Sequence, residues 1–509
     1  MRANARGIWA ALHAHILGRL LFAFAIGAAL NLAFAPFDWW PIGFLAPAAL
    51  FGLIRGLPPR RAAAAGAAFG VGLFAVGTYW LYTCIHGFGL VPIWLTLFLQ
   101  AALVAIMASY CMLLCFLANR FWLKGGAARD WLALPALWVL FEWLRGWLFS
   151  GFPWLSIGYA FIDSPLAGWA PLLGVYGITW AAGYAAVAVN VLLWPGSGTS
   201  QRLAALGALC ALFIAPSLAS RVEWTHPVGP AFPVAAVQAA IPQDQKWQES
   251  NREATIARYS ELTDQAWGAR LIVWPEAALP VLANNIQDYL QSLQVAGRRH
   301  DADFAIGLVK YESATQQYFN GLLVLSQAGG GWYFKRHLVP FGEYFPVPAF
   351  VRTWMRLMSL PFDDLTAGAE NQSVLSAAGQ KLGLTICYED AYGSHQLQVL
   401  RQATLLINVT NNAWYGDSSA PHQHLQISRL RALEAGRYLI RAANDGITAL
   451  IGPKGQIVAR LPQFQEAVLH GEVQPMSGLT PYARCGNYPV IGGACLSLAW
   501  AGWRRRRTP

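Results

Sequence analysis

Leu384-Thr385-Ile386-Cys387-Tyr388-Glu389-Asp390 places a thiol where an apolar, strand-forming run gives way to acidic residues. A cysteine in that setting is usually a small buried hydrophobe, so it needs partners before it means chemistry. Three other segments supply them. Val273-Trp274-Pro275-Glu276-Ala277 puts a carboxylate just past a buried strand, and Phe334-Lys335-Arg336-His337 puts a lysine at a strand end, with Glu343 eight residues on. Leu406-Ile407-Asn408-Val409-Thr410-Asn411-Asn412-Ala413-Trp414 is a further strand with a polar, aromatic exit. A thiol of pKa about 8.5 is mostly protonated at neutral pH and needs a base to become a nucleophile. Glu276 can take that proton if a cation favours the charged pair. Lys335 can supply the charge and then turn to an oxyanion, together with the backbone N–H after Cys387.

Outward from these segments the texture is that of one α/β domain, residues 221–487. Residues 234–238, 271–274, 304–309, 321–325, 332–335, 382–387 and 405–409 read as strands, and 248–267, 284–299 and 421–441 as helices. Residues 448–451 and 457–460 flank Gly452-Pro453-Lys454-Gly455 as a hairpin.

The rest of the chain implies a second solvent. Of 509 residues 56% are hydrophobic and 12% charged, where soluble domains carry about 25% charged residues. Residues 1–220 hold 11 basic and 4 acidic side chains, while 221–488 hold 21 and 22, and Arg504 to Arg507 close the chain. The net charge of +10 therefore belongs to the hydrophobic parts. A nucleic-acid binder should be basic on its polar surface instead.

Spans of roughly 20 apolar residues cross a bilayer. Eight candidates lie near 12–34, 39–54, 62–82, 90–118, 131–149, 166–194, 203–220 and 488–503. Lys and Arg concentrate in alternate connections: Arg2 and Arg6, then Arg55, Arg60 and Arg61, then Arg120, Lys124 and Arg129, then Arg202 and the tail. By the positive-inside rule both termini lie inside and the polar domain outside, which in a bacterium is the periplasm. Residues 1–220 then form a membrane domain of about seven helices, and 488–509 an eighth helix with a basic cytoplasmic tail. Glu142 and Arg145, three apart, can pair on one helical face and carry no assigned chemistry. The aromatic connection 146–165 reads either as a lipid entry or as an ordinary interfacial belt.

In order and content the four motifs resemble the nitrilase (carbon-nitrogen hydrolase) superfamily, whose triad is Glu, Lys, Cys. With spans on both sides, the chain is similar to the membrane-embedded acyltransferase branch of that superfamily over nearly its whole length. The resemblance implies a polytopic α-helical membrane protein carrying an inserted α-β-β-α sandwich. It implies Glu276 as general base, Lys335 as stabiliser of the tetrahedral intermediate and Cys387 as nucleophile. Glu343 would be a supporting second glutamate, Tyr388 and Glu389 required neighbours, and Trp247 a residue near the substrate. Expected partners are a phospholipid acyl donor, phosphatidylethanolamine, and diacylglyceryl-cysteine apolipoproteins as acceptors, in the bacterial inner membrane. An amidase using water, or a lipid-binding or transport protein, are the alternatives.

Other features follow from the residues themselves. Segment 344–364 mixes aromatics with Arg352 and Arg356 and reads as a lipid-facing lid, with Arg352 at a phosphate. His422 and His424 are two apart on a helix, so they point away from each other and make no metal site. No Gly-rich phosphate loop or cofactor motif is visible. Cys84, Cys111, Cys115, Cys210 and Cys495 read as packing residues in or beside spans, and Cys387 and Cys485 as reduced thiols.

Overall fold

The computed structural model describes residues 15–122, 126, 128–326, 330–344 and 364–507. Arg2, Arg6 and Lys124 lie outside the described residues. The chain forms two compact units. One comprises Met1–Glu223, Asp417–Gln426 and Thr480–Pro509, and the other Trp224–Gly416 and Ile427–Leu479.

The first unit is helical: α1 (Ile16–Ala29), α2 (Ile42–Leu53), α3 (Pro59–Gly77), α4 (Ile93–Trp122), α5 (Leu134–Arg145), α6 (Ala170–Leu193) and α7 (Thr199–Ala219), with a C-terminal helix Tyr488–Arg507. Among the described residues, four stretches are long and apolar enough to cross a membrane: Ile16–Ala33, Ile93–Trp122, Pro165–Leu193 and Thr199–Ala219. Helices α2 and α5 have 12 residues each, a rise of about 18 Å against about 30 Å of hydrocarbon. Helix α3 is rich in Ala and Gly because its backbone meets its neighbours directly. A Cβ on Gly70 would sit 2.6 Å from Ala108 Cα, and one on Gly72 would strike the Phe24 carbonyl. Small residues serve helix packing in lipid this way, where apolar bulk provides no drive to associate.

Glu142 and Arg145 do not pair with each other as their spacing suggested. Glu142 accepts from Trp138 Nε1 (3.2 Å), Ile157 N (3.0 Å) and Thr179 Oγ1 (2.8 Å). Arg145 donates to the Trp154 carbonyl (2.6 Å), the Phe152 carbonyl and Ser156 Oγ. Both side chains hold the connection 152–157, whose backbone groups outcompete an ion pair because a buried carbonyl or N–H otherwise goes unsatisfied. Trp154 is buried and donates to Gln423 Oε1 at 2.7 Å.

The second unit begins with β1 (Thr225–Pro227) and β2 (Phe232–Gln238), then the short helix α8 (Gln243–Lys246) and α9 (Arg252–Gln265). Next come β3 (Leu271–Trp274), α10 (Gln287–Arg299), β4 (Asp303–Glu312), β5 (Gln317–Leu325) and β6 (Gly331–Phe334). Strands β7 (Ser376–Ala377), β8 (Gln380–Ile386) and β9 (Leu405–Thr410) lead to α11 (Ala420–Ala435) and β10 (Leu439–Ala443). Strands β11 (Ala449–Ile451), β12 (Ile457–Arg460), β13 (Ala467–Val473) and β14 (Met476–Gly478) complete it.

Two six-stranded sheets result, ordered β13-β2-β3-β4-β5-β6 and β12-β11-β10-β9-β8-β7. Strands β2, β3 and β4 are mutually parallel, as are β8, β9 and β10. The sheets face each other, with β10 against β2 and β3. Helices α9 and α10 cover the outer face of the first, where Tyr259, Leu262, Leu290 and Leu293 pack on Ile272, Trp274, Phe304 and Ile306. Strands β3 and β9 are buried at every residue, which is why they read as continuous apolar runs without alternation.

The segment read as a helix to 441 ends at Ala435. Gly436 turns left-handed at φ 62° and the chain enters β10, all five residues of which are buried. Burial on both faces removes the alternation that separates strand from helix. Strand β13, antiparallel to β2, was also not legible. Helices expected at 248–267 and 284–299 start later, at Arg252 and Gln287.

Candidate active site

Four side chains of catalytic type come together: Glu276 and Cys387 from the ends of parallel strands β3 and β8, Lys335 from the end of the hairpin strand β6, and Glu343 from the loop after it. Glu276 lies two residues beyond β3, on a turn in which Ala277 is left-handed at φ 43°. Its Oε1 accepts from Asn320 Nδ2 at 2.7 Å and stands 3.5 Å from Lys335 Nζ, and its Oε2 accepts from Asn411 N at 2.9 Å. Lys335 directly follows β6 and is almost wholly buried. Its Nζ donates to Glu343 Oε1 at 2.9 Å, while Glu343 Oε2 accepts from Val339 N at 2.8 Å. Asn320 Nδ2 also donates to Glu343 Oε1 (3.0 Å), so one amide joins both carboxylates.

Cys387 is the first residue after β8 and opens a 3-10 turn, with its φ at 51° in the left-handed region. A non-glycine residue there is strained, and such strain concentrates at functional turns. Asn408 Nδ2 donates to the Cys387 carbonyl at 3.2 Å. The side chain is buried, and burial together with the Glu276 charge pushes the thiol up to about 12 against the pull of Lys335.

Burial alone would raise the Glu276 carboxyl. The Lys335 ammonium, the Asn320 amide, the Asn411 N–H and Lys246 together bring it below its ordinary value instead. Burial would likewise lower the Lys335 ammonium, but Glu343 and Glu276 carry it above the usual range. The resting site is therefore a neutral thiol beside an ionised carboxylate and an ammonium.

Glu389 links the Cys387 turn to the Lys335 loop. Its Oε2 accepts from Ile386 N (2.8 Å) and Tyr333 Oη (3.0 Å), and its Oε1 from Arg336 N (2.6 Å) and His337 N (3.2 Å). Burial raises its carboxyl in spite of those N–H groups. Tyr388 packs edge-on to Tyr392 with ring centroids 5.1 Å apart. Trp247 follows α8 and is 53% exposed. Arg352, Arg356 and the lid read over 344–364, apart from Tyr344 and Asp364, lie outside the described residues. His424 is buried with its ring 5.5 Å from that of Trp154. Cys387 and Cys485 are both reduced, the second exposed.

Asn320, Asn411 and Lys246 were not singled out from sequence. A lone Asn ahead of Gly321–Leu325 and a Lys beside Trp247 are ordinary surface residues by composition, and only their burial marks them.

Paired sheets with a carboxylate, a lysine and a cysteine at their strand ends make this a carbon-nitrogen hydrolase domain, and residues 233–482 match the family of that description. Residues 26–191 match the apolipoprotein N-acyltransferase N-terminal domain. An apolipoprotein N-acyltransferase from Methylococcus capsulatus is 41% identical, over 96% of this chain and 96% of its own. One from Azotobacter vinelandii is 43% identical, over 96% and 95%. The chain belongs to the apolipoprotein N-acyltransferase family. A carbon-nitrogen hydrolase from Helicobacter pylori G27 aligns over 55% of this chain and 96% of its own, at 16% identity and a TM-score of 0.38.

Proposed function

We propose that the protein moves an acyl chain from a phospholipid through a Cys387 thioester to the N-terminal α-amine of diacylglyceryl-cysteine lipoproteins. The observation that carries this reading is the Glu276, Lys335 and Cys387 arrangement in a chain whose described residues also include four membrane-length apolar helices. With the thiol high and Glu276 low, the proton leaves Sγ only as the C–S bond forms. Cys387 attacks the ester carbonyl, by family likeness the sn-1 ester of phosphatidylethanolamine, and Glu276 receives the thiol proton. Lys335 and the N–H after Cys387 stabilise the oxyanion. Glu276 then protonates the departing lysophospholipid oxygen. The lipoprotein amine attacks the thioester, gives its proton to Glu276, and the amide leaves while Cys387 regains a proton.

Glu343 holds the ammonium, Glu389 fixes the two loops, and Tyr388 and Trp247 line the approach of the lipids. Membrane helices supply proximity, because both substrates are already confined to one leaflet. In this reading residues 1–220 form about seven spans, 488–509 an eighth with a basic cytoplasmic tail, and 221–487 a periplasmic catalytic domain on the bacterial inner membrane.

Purified protein given phosphatidylethanolamine with a labelled sn-1 chain and a diacylglyceryl-cysteine peptide is expected to yield labelled N-acyl peptide and lysophospholipid in equal amounts. Free labelled fatty acid in place of the amide would support water as the acceptor. Topology is read separately at Cys485, which is exposed where Cys387 is buried. A membrane-impermeant maleimide should label Cys485 in whole cells once the outer membrane is opened. Labelling only after the inner membrane is broken would invert the orientation.

A further inference from the structure

Lys246 closes α8 and is completely buried, although Trp247 beside it is half exposed. Its single hydrogen bond runs from Nζ to the main-chain carbonyl of Glu276, at 3.3 Å, and among the described residues it makes no ion pair. A buried ammonium gives up most of its hydration, and one carbonyl does not return it. A methionine would fill the same space more cheaply. Packing therefore does not explain the charge.

What the charge reaches is Glu276. The carbonyl it holds leads into the left-handed Ala277, so the ammonium pins the turn that aims the carboxylate. A second chain of bonds ties the same loop to the same carboxylate. Gln243 Oε1 accepts from Asn411 Nδ2 (2.9 Å), whose backbone N–H donates to Glu276 Oε2. Asn444 Nδ2 donates to Asn411 Oδ1 (3.3 Å) and to the Ile241 carbonyl (2.7 Å). Asp445, next in sequence, is the other carboxylate that acts on Lys246. Burial brings the Lys246 ammonium down to about 8, and Glu276 and Asp445 keep it from falling further. Burial raises Asp445 to about 6, against Lys246.

We propose that Lys246 is a positioning residue for the reaction: its buried ammonium fixes the Glu276 turn through the Glu276 carbonyl and adds its charge to the Glu276 site. This rests on Glu276 being the general base. The charged and titratable groups involved are few. Glu276 faces Lys335, Cys387, Lys246 and the buried Arg441, with Glu343 beyond Lys335, and Asp445 faces Lys246 and Tyr259. Removing the Lys246 charge raises Glu276, so at a given pH more of the base is protonated and idle. The acid limb of thioester formation must then move to higher pH.

The test is single-turnover acylation of the full-length protein by phosphatidylethanolamine in detergent, followed by intact mass from about pH 3.5 to 9, a range that reaches below the ordinary carboxyl value. Lys246→Met is expected to melt no lower than wild type and to keep the half-saturating phospholipid concentration; at pH 7, where Glu276 is ionised in both proteins, it should acylate at least about tenfold more slowly because its turn is no longer held. Its acid limb should lie about one pH unit higher. Lys246→Gln, which keeps a donor but no charge, should recover part of the rate and none of the limb. Lys246→Met with a wild-type acid limb, whatever its rate, overturns the proposal, because a merely structural lysine slows the reaction equally at every pH. Wild-type protein that forms no adduct would overturn the reading of the reaction itself.

Discussion

Cys387→Ser gives a folded, membrane-inserted protein whose acyl transfer falls by at least about 10³-fold. Serine keeps the shape of the turn, including the left-handed φ of 51° that β8 and the Asn408 bond impose. What it loses is the nucleophile. A hydroxyl gives up its proton far less readily than a thiol, and Glu276, held below its ordinary value, is too weak a base to take it. Transfer from labelled phospholipid to a diacylglyceryl-cysteine peptide measures the effect, with thermal melting as the control for folding. Cys485→Ser is the companion variant. That cysteine is exposed and at the end of a short helix, so its loss should leave activity within about twofold. Activity near wild type in Cys387→Ser would end the thioester mechanism.

Glu276→Gln and Lys335→Ala stop the reaction earlier, before any acyl-enzyme forms. Glutamine keeps hydrogen bonds to Asn411 N and its neighbours but accepts no proton, a loss of about 10² to 10⁴. Alanine at 335 removes the charge that brings Glu276 down and the donor for the oxyanion, about 10² to 10³ for the latter alone. It also leaves Glu276 and Glu343 buried around one amide, so this variant should be less stable as well. Neither protein should gain the mass of one acyl chain when mixed with phosphatidylethanolamine alone. An adduct at wild-type rate in Glu276→Gln would move the base elsewhere.

The sequence made the ends of the strands legible and left their surroundings hidden. Glu276 and Cys387 could be read because each follows a strand that is buried where it ends, and such runs stand out against polar exits; Lys335 follows a half-buried aromatic strand and Glu343 no strand, and these two were legible from their order along the chain. Asn320 could not. It bridges Glu276 and Glu343 from inside β5, where nothing in composition separates it from an exposed amide. Lys246 was visible only as the neighbour of Trp247. The spacing of Glu142 and Arg145 suggested a pair, yet each is taken by the backbone of 152–157, a tertiary partner that local spacing does not encode. Strand β10 was lost for a similar reason, since a five-residue run buried on both faces carries no period. Membrane character was plain from composition. Length was less so: α2 and α5 are short helices inside long apolar stretches.

The most direct measurement is the intact mass of wild-type protein incubated with phosphatidylethanolamine and no lipoprotein. The account predicts a gain of one acyl chain, located at Cys387, removed by hydroxylamine, stable for many minutes, and discharged at once by a diacylglyceryl-cysteine peptide. No gain in mass while labelled amide still forms after peptide is added would contradict it, because transfer would then be passing through no thioester on Cys387.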